Sequence, residues 1–439
     1  MFCKPLSIGS LSMSAPQRPV YTRAQMEKYF DRLNLPEEQR RYHVAGLSPG
    51  DALAYLASLQ KHHLVQIPFE NLSLHYSSHR HISIHPEALF TKIIADDNGR
   101  GGYCMENSGL FGTLLHSLGF NTYSAGARVF NQGRLSGWGH MIVFVKIGGQ
   151  KYYVDVGFGA NGPIEPMPVD HSGAIRPHIA PASARLQWRN ISQNVDPDQR
   201  LWVYEHKIDE EHDWEPMYCF TELEFLPGDY RVMNLSTSTS PTTFFTKIVF
   251  MEKKLLGDDG SIIGNIILGT DVKWRIHGKK EREIKFESEE DRVKAIEEHF
   301  GIKLGVVERD SILGLVSQMK VAGLTNERSE MYIDYRTYCE FGRACRTYPP
   351  WVVELEARRR LGLVGLSASK ARQSAVALEH CGGVPGGQNE CLLTLSHASI
   401  PRLALLPPFC ISLSLPTDTA LNANICRHQY GPAAGGAGH

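Results

Sequence analysis

Apolar side chains recur at helical spacing in four segments of the first 120 residues. Thr22 can cap a helix from Arg23 to Leu33, and Ser48-Pro49-Gly50-Asp51 opens a second run through His62. Pro86 starts a third, to about Ala95. The fourth runs from Cys104 to Leu118, with Leu110, Phe111, Leu114, Leu115 and Leu118 on helical spacing. From Asn121 to about Glu224 the pattern changes to short β-rich runs: Met141 to Val145, Tyr152 to Val156, Leu186 to Trp188, Leu201 to Lys207 and Met217 to Phe225. These predict an antiparallel barrel or sandwich. Between Phe244 and Leu304, strands are predicted over Lys247 to Met251, Ile262 to Leu268 and Val272 to Ile276, with a turn at Gly257-Asp258-Asp259-Gly260. A capping-box start at Ser288-Glu289-Glu290-Asp291 then predicts a helix through Phe300.

The fold class that follows is α+β. It comprises a helical bundle over 21–120, an antiparallel β domain over 121–235 and an α/β lid over 236–305. Residues 1–20 read as a disordered leader. Residues 306–439 read as an appendage of low order: arginine outnumbers lysine there, six of the nine cysteines fall there, and the end, from Gly431 to His439, is low-complexity.

Composition narrows the function. A hydrophobic content of 42% supports a substantial core, and a formal charge of −1 gives no basic footprint for nucleic acid or an anionic membrane. No uninterrupted apolar stretch reaches the roughly eighteen residues of a membrane span. The nearest, Ile400 to Leu415, is broken by Pro401, Arg402, Pro407 and Pro408. The first seventeen residues make a poor signal peptide, so a cytoplasmic location is expected. Only Cys3, Cys104 and Cys219 precede residue 306, without paired spacing, so neither a disulfide framework nor a metal site is expected.

The candidate chemistry is local. Cys104 opens a helix after Gly101-Gly102, where unpaired backbone N–H groups and the positive end of the helix dipole favour a thiolate. His140 ends the loop Asn131 to Gly139 and precedes the strand from Met141. Asp155 lies inside the second apolar run, where a carboxylate is costly unless paired. Gly148-Gly149 would join these strands as a hairpin and bring His140 and Asp155 side by side. Cys104, His140 and Asp155 are then nucleophile, base and orienter. Their spacing is too short for a papain-like protease.

Other signals carry less. Cys219 reads as a buried structural thiol. Gly157 to Gly162 fits G-x-G-x-x-G, but Pro163, Pro166 and Pro168 forbid the helix a dinucleotide site needs; the glycines instead let backbone run close to a substrate. His75, His79, His81 and His85 read as solvated loop histidines, and Lys279 to Glu283 as a soluble face.

Arg100-Gly101-Gly102-Tyr103-Cys104, Ile67-Pro68-Phe69-Glu70-Asn71-Leu72, His140-Met141 and Val154-Asp155-Val156-Gly157-Phe158-Gly159 stand in the order found in arylamine N-acetyltransferases. From about Tyr21 to Leu304 the chain resembles that family, whose members transfer an acetyl group from acetyl-CoA to arylamines, arylhydrazines and N-hydroxyarylamines. The resemblance implies a cysteine-protease or transglutaminase-like core and ping-pong transfer through acyl-Cys104. Acetyl-CoA would serve as co-substrate, with no permanently bound cofactor. Family positions for CoA contacts fall on Ser136, Gly137, Thr242 and Thr243, although Phe244 stands where members can carry serine. Phe69, Val129 and Phe158 fall on the acceptor-pocket wall. By motif position the Tyr103 N–H would serve an oxyanion, while Glu70 and Asn71 would shape the pocket. A monomer or weak oligomer is expected. A larger pocket could admit propionyl or malonyl groups, and a hydrolase or transglutaminase-like enzyme could use the same triad.

Overall fold

The computed structural model describes residues 18–319 apart from 132 and 133, all within one compact unit. Residues 1–17 of the expected leader and residues 320–439 of the expected appendage, with its six cysteines, lie outside them.

Thr22 caps α1 (Arg23–Arg32) in a reciprocal box with Gln25, and Ser48 caps α2 (Pro49–Gln66). The chain then makes a two-residue strand, β1 (Phe69–Glu70), followed by α3 (Pro86–Phe90), which continues as a π turn over Thr91–Ala95. Helix α4 (Cys104–Ser117) follows. Phe30, Leu56, Leu59, Phe111, Leu114 and Leu115 have no solvent exposure and form the core between these helices. Each contributes roughly 1.5–3 kcal/mol by burial.

β2 (Asn121–Asn131) and β3 (Arg134–Ile147) form a long hairpin, so the segment expected as a loop before His140 is largely strand. Its Gly and Ser content reads as loop, yet bulges near Arg128 absorb the irregularity while pairing persists to Asn131 and Arg134. β4 (Gln150–Val154) follows through Gly148 and Gly149, both at positive φ. The sheet continues with β5 (Met167–Pro168), β6 (Arg176–Pro177), β7 (Ser183–Arg189), β8 (Leu201–Lys207) and β9 (Glu215–Phe220). The eight antiparallel strands run in the order β5-β4-β3-β2-β9-β8-β7-β6. The sheet curls, bringing Tyr153 of β4 against Tyr204 of β8 at 6.4 Å between ring centroids.

A helix the pattern did not predict, α5 (Pro227–Thr239), comes next. Its buried positions are Tyr230, Met233, Asn234, Thr237 and Ser238, while Val232 and Leu235 face outward, so polarity runs against the usual stripe. After α6 (Phe244–Lys247) come β10 (Met251–Leu256), β11 (Ile262–Leu268), β12 (Asp271–Ile276) and β13 (Lys279–Lys285). Strand β10 therefore starts where the expected strand was to end. β13 escapes the pattern because it is a charged edge strand. The second sheet is ordered β1-β10-β11-β12-β13, so the Pro68-Phe69-Glu70 segment completes it. α7 (Glu289–Phe300) has its Ser288 cap and ends at Gly301 in the left-handed conformation.

Packing continues beyond residue 305. After α8 (Val306–Asp310), Ile312 is fully buried and Ser317 Oγ lies 2.7 Å from His75 Nδ1. Arg18 Nη2 likewise reaches the Thr122 hydroxyl, inside the stretch assigned to a leader. Among the described residues, no helix is long and apolar enough to cross a membrane.

Candidate active site

The backbone entering α4 runs against the Pro68 segment. A Cβ on Gly101 would lie 1.9 Å from the Pro68 carbonyl oxygen, so only glycine fits. The Glu70 N–H donates to the Gly102 carbonyl, and the Arg100 guanidinium donates to the Glu70 carboxylate at 2.9 Å. Glu70 is fully buried. Burial alone would raise its carboxyl, but Arg100 and Lys92 outweigh it and hold it at about 2. Asn71 donates to the carbonyls of Phe245 and Ile248 and accepts from the Phe250 N–H, stapling that segment beside the site. Both residues spend their polar groups on hydrogen bonds that fix neighbouring segments.

Cys104 occupies the first position of α4, 3% exposed, with Sγ 3.5 Å from the Gly139 carbonyl. The Tyr103 N–H is taken by the Glu106 carboxylate at 3.1 Å. It is a capping donor rather than the free oxyanion donor proposed from motif position. The N–H groups of Cys104 and Met105 remain as first-turn donors.

His140 is paired opposite Ala127 in the β2–β3 hairpin, and its Nε2 lies 2.6 Å from Asp155 Oδ2. Asp155 sits one residue past the end of β4, not within a strand as expected. Its burial is compensated twice, because Oδ1 also accepts the Gly157 N–H at 2.8 Å. Burial opposes a charge on His140, but the Asp155 carboxylate, with a smaller contribution from the nearby Cys104, raises it to about 10. The imidazole and carboxylate are directly bonded, and the sulfur lies against the carbonyl of Gly139, the residue before His140. Cys219 differs: burial pushes its thiol up to about 11 against the pull of Arg128 and Arg189, and no imidazole supports it.

A Cβ on Gly157 would lie 2.7 Å from the Cys104 Cα. The glycine therefore permits contact between the Asp155 loop and the nucleophile helix, not only an approach to substrate. The G-x-G-x-x-G segment opens no helix.

Phe158 meets the His140 ring edge-on at 5.4 Å, and Phe69 packs on Phe245 and Phe250 in the apolar cluster containing Cys104. Val129 pairs with Tyr218, whose ring lies 5.0 Å from His140. Phe158 thus touches the His140 ring, Val129 lies beside a residue that does, and Phe69 shares a cluster with Cys104. Phe245, Phe250 and Trp138 join the same cluster and were not singled out in the sequence, although the spacing of Phe244, Phe245 and Phe250 is an aromatic signal.

Ser136 and Gly137 lie exposed on β3, where Ser136 Oγ accepts the Val129 N–H and donates to the Gly137 carbonyl. Thr242 is exposed, while Thr243 Oγ1 donates to the Thr237 carbonyl. Thr237 Oγ1 in turn lies 3.9 Å from where a Cβ would stand on Gly139, so the two segments meet at one rim of the site. Among the histidines read as solvated, His79, His81 and His85 are exposed, but His75 is buried between Asn71, Ser317 and the Phe245 carbonyl. Its role is structural, and burial holds it down to about 4.

The sequence profile of a family described as N-acetyltransferase matches residues 52–309. The chain is 36% identical over 323 residues to N-malonyltransferase FDB2 of Gibberella moniliformis, covering 66% of this chain and 92% of that protein. It is 30% identical over 235 residues to arylamine N-acetyltransferase 2 of Mus musculus, covering 51% and 76%. Among solved structures, arylamine N-acetyltransferase of Nocardia farcinica superposes with a TM-score of 0.54 at 26% identity, covering 65% of this chain and 92% of that one. The Mycobacterium marinum enzyme in complex with CoA gives 0.53 at 25%, covering 65% and 96%.

Proposed function

The chain belongs to the arylamine N-acetyltransferase family, and from that premise we propose that it moves an acyl group from an acyl-CoA to an arylamine nitrogen through acyl-Cys104. The observation that carries the reading is the buried His140–Asp155 pair, with Cys104 Sγ at 3.5 Å from the carbonyl of Gly139 just before His140. The attack requires the thiolate, its proton held on His140. The sulfur attacks the thioester carbonyl of the acyl-CoA; the carbon–sulfur bond to CoA breaks, and the departing CoA thiolate takes the imidazolium proton. The arylamine then attacks acyl-Cys104, neutral His140 accepts the amine proton, and amide and the starting ion pair result. The Cys104 and Met105 N–H groups suit the oxyanion. Ser136, Gly137, Thr242 and Thr243 remain the proposed CoA contacts, and Phe69, Val129 and Phe158 the proposed acceptor wall.

Acetyl is the family's group. Malonyl is the second reading, favoured by the higher identity and fuller coverage of the N-malonyltransferase relative. The test mixes the protein with acetyl-CoA or malonyl-CoA and a panel of arylamines, following CoA release and amide formation. The proposal expects rapid CoA release and discharge of the acyl-enzyme faster by amine than by water. Failure of every donor to release CoA overturns the transferase reading, and discharge equally fast with or without amine favours a hydrolase.

A further inference from the structure

The segment following Asp155 is held by an unusual set of donors. Five consecutive carbonyls, Gly159 to Pro163, each accept from a side chain of another element. Tyr204 Oη donates to Asn161 at 3.1 Å, His178 Nε2 to Gly162 at 2.8 Å and Gln60 Nε2 to Pro163 at 3.1 Å. The first two carbonyls share one donor. Lys254 Nζ, on β10, reaches Gly159 at 3.0 Å and Ala160 at 2.7 Å, and pairs with Glu252 at 2.9 Å. Lys254 has no solvent exposure and Glu252 is 3% exposed.

A buried ammonium is costly even when paired, and a neutral packed side chain generally serves stability as well. The neighbouring carbonyls are held by neutral donors. His178 is among them, since burial and the nearby His206 hold it down to about 3. What distinguishes the two Lys254 carbonyls is their place, immediately after Phe158, whose ring stands edge-on to His140. Gly159 itself has a φ of +95°, a turn that aims the chain at the lysine. Asp155 is anchored separately, by the Gly157 N–H and by the Gln60 amide on its carbonyl.

We propose that Lys254 is a positioning residue for the acceptor step: by clamping the Gly159 and Ala160 carbonyls it sets where Phe158 stands beside the acyl-cysteine. The inference rests on the acyl-transfer reading above. It separates the two half-reactions, because Lys254 bonds the two carbonyls beside Phe158 and makes no hydrogen bond to Cys104, His140 or Asp155.

The test replaces the pair together, Lys254→Met with Glu252→Gln, so that no unpaired buried charge remains. The full chain is assayed for CoA release from the acyl-CoA without acceptor, then for turnover of the arylamine that wild type uses fastest. In the double variant the acylation rate stays within about twofold, while KM for the amine rises about tenfold or more, within the roughly hundredfold that a 1 Å misplacement can cost. An unchanged amine KM in the double variant overturns the proposal, and so does an equal loss in both half-reactions. Should the double variant not fold, Lys254→Gln with Glu252→Gln, which keeps one amide donor and leaves no unpaired charge, carries the test. It raises the amine KM about threefold with acylation unchanged, and no rise overturns the proposal. Absence of CoA release in wild type would instead defeat the parent reading.

Discussion

The Cα of Cys104 lies 2.7 Å from the position a Cβ would occupy on Gly157, and its carbonyl oxygen lies 2.9 Å away. Two backbones distant in sequence touch where the nucleophile meets the loop after Asp155. A methyl group there must push them apart. Gly157→Ala is expected to lower the acylation rate by about two orders of magnitude. Unfolding in denaturant should show a loss of about 1–3 kcal/mol. Normal acylation in a folded variant would contradict the contact.

His140 is raised above its ordinary value to about 10, with burial opposing and Asp155 and Cys104 prevailing. A folded value above the unfolded one means this interaction stabilises fully below about pH 6.5 and is lost as the pH rises through about 10. Wild type should therefore melt above Asp155→Asn at pH 6, with the gap shrinking towards pH 10. In Asp155→Asn the imidazole loses its partner and burial drives it towards neutrality. Acylation should fall by about three to four orders of magnitude. A melting gap independent of pH would contradict the assignment.

Glu70 is lowered to about 2 against its own burial by Arg100 and Lys92, so its contribution is present above about pH 4.5 and lost as the pH falls through about 2. Arg100→Met leaves this buried carboxylate with the Leu72 N–H and with Lys92, at 3.4 Å, as its nearest cation. The expected cost is about 3–5 kcal/mol in denaturant unfolding at neutral pH. A loss under about 1 kcal/mol would show that the ion pair does not hold the segment.

Residues 306–319 supply Ile312 to the core beside α7 and Ser317 to His75. A chain ending at 305 should melt several degrees below one ending at 319. Equal melting would put the true boundary at 305.

Much of this was legible in the sequence because it was local. Thr22, Ser48 and Ser288 announce their helices, Gly148-Gly149 its hairpin, and Cys104, His140 and Asp155 stand in or beside segments whose strand or helix character is strong. What escaped depended on partners far away. α5 hides because Thr237 and Ser238 point inward and Val232 and Leu235 outward. His75 looked solvated because its partners, Ser317 and the Phe245 carbonyl, are 242 and 170 residues away. Lys254 gave no signal, since a lysine on a strand reads as exposed until backbone carbonyls surround it. The Tyr103 N–H looked free because its Glu106 partner was not read as the return half of a capping box.

The central claim is that acyl transfer passes through Cys104. Intact-mass measurement of the protein after mixing with acetyl-CoA or malonyl-CoA, without amine, tests it directly. The account predicts a gain of one acyl group, mapped to Cys104, discharged by arylamine and absent in Cys104→Ser, whose turnover falls by about two orders of magnitude or more. Amide formation at a near-normal rate in Cys104→Ser, or an acyl group mapped to another residue, would contradict it.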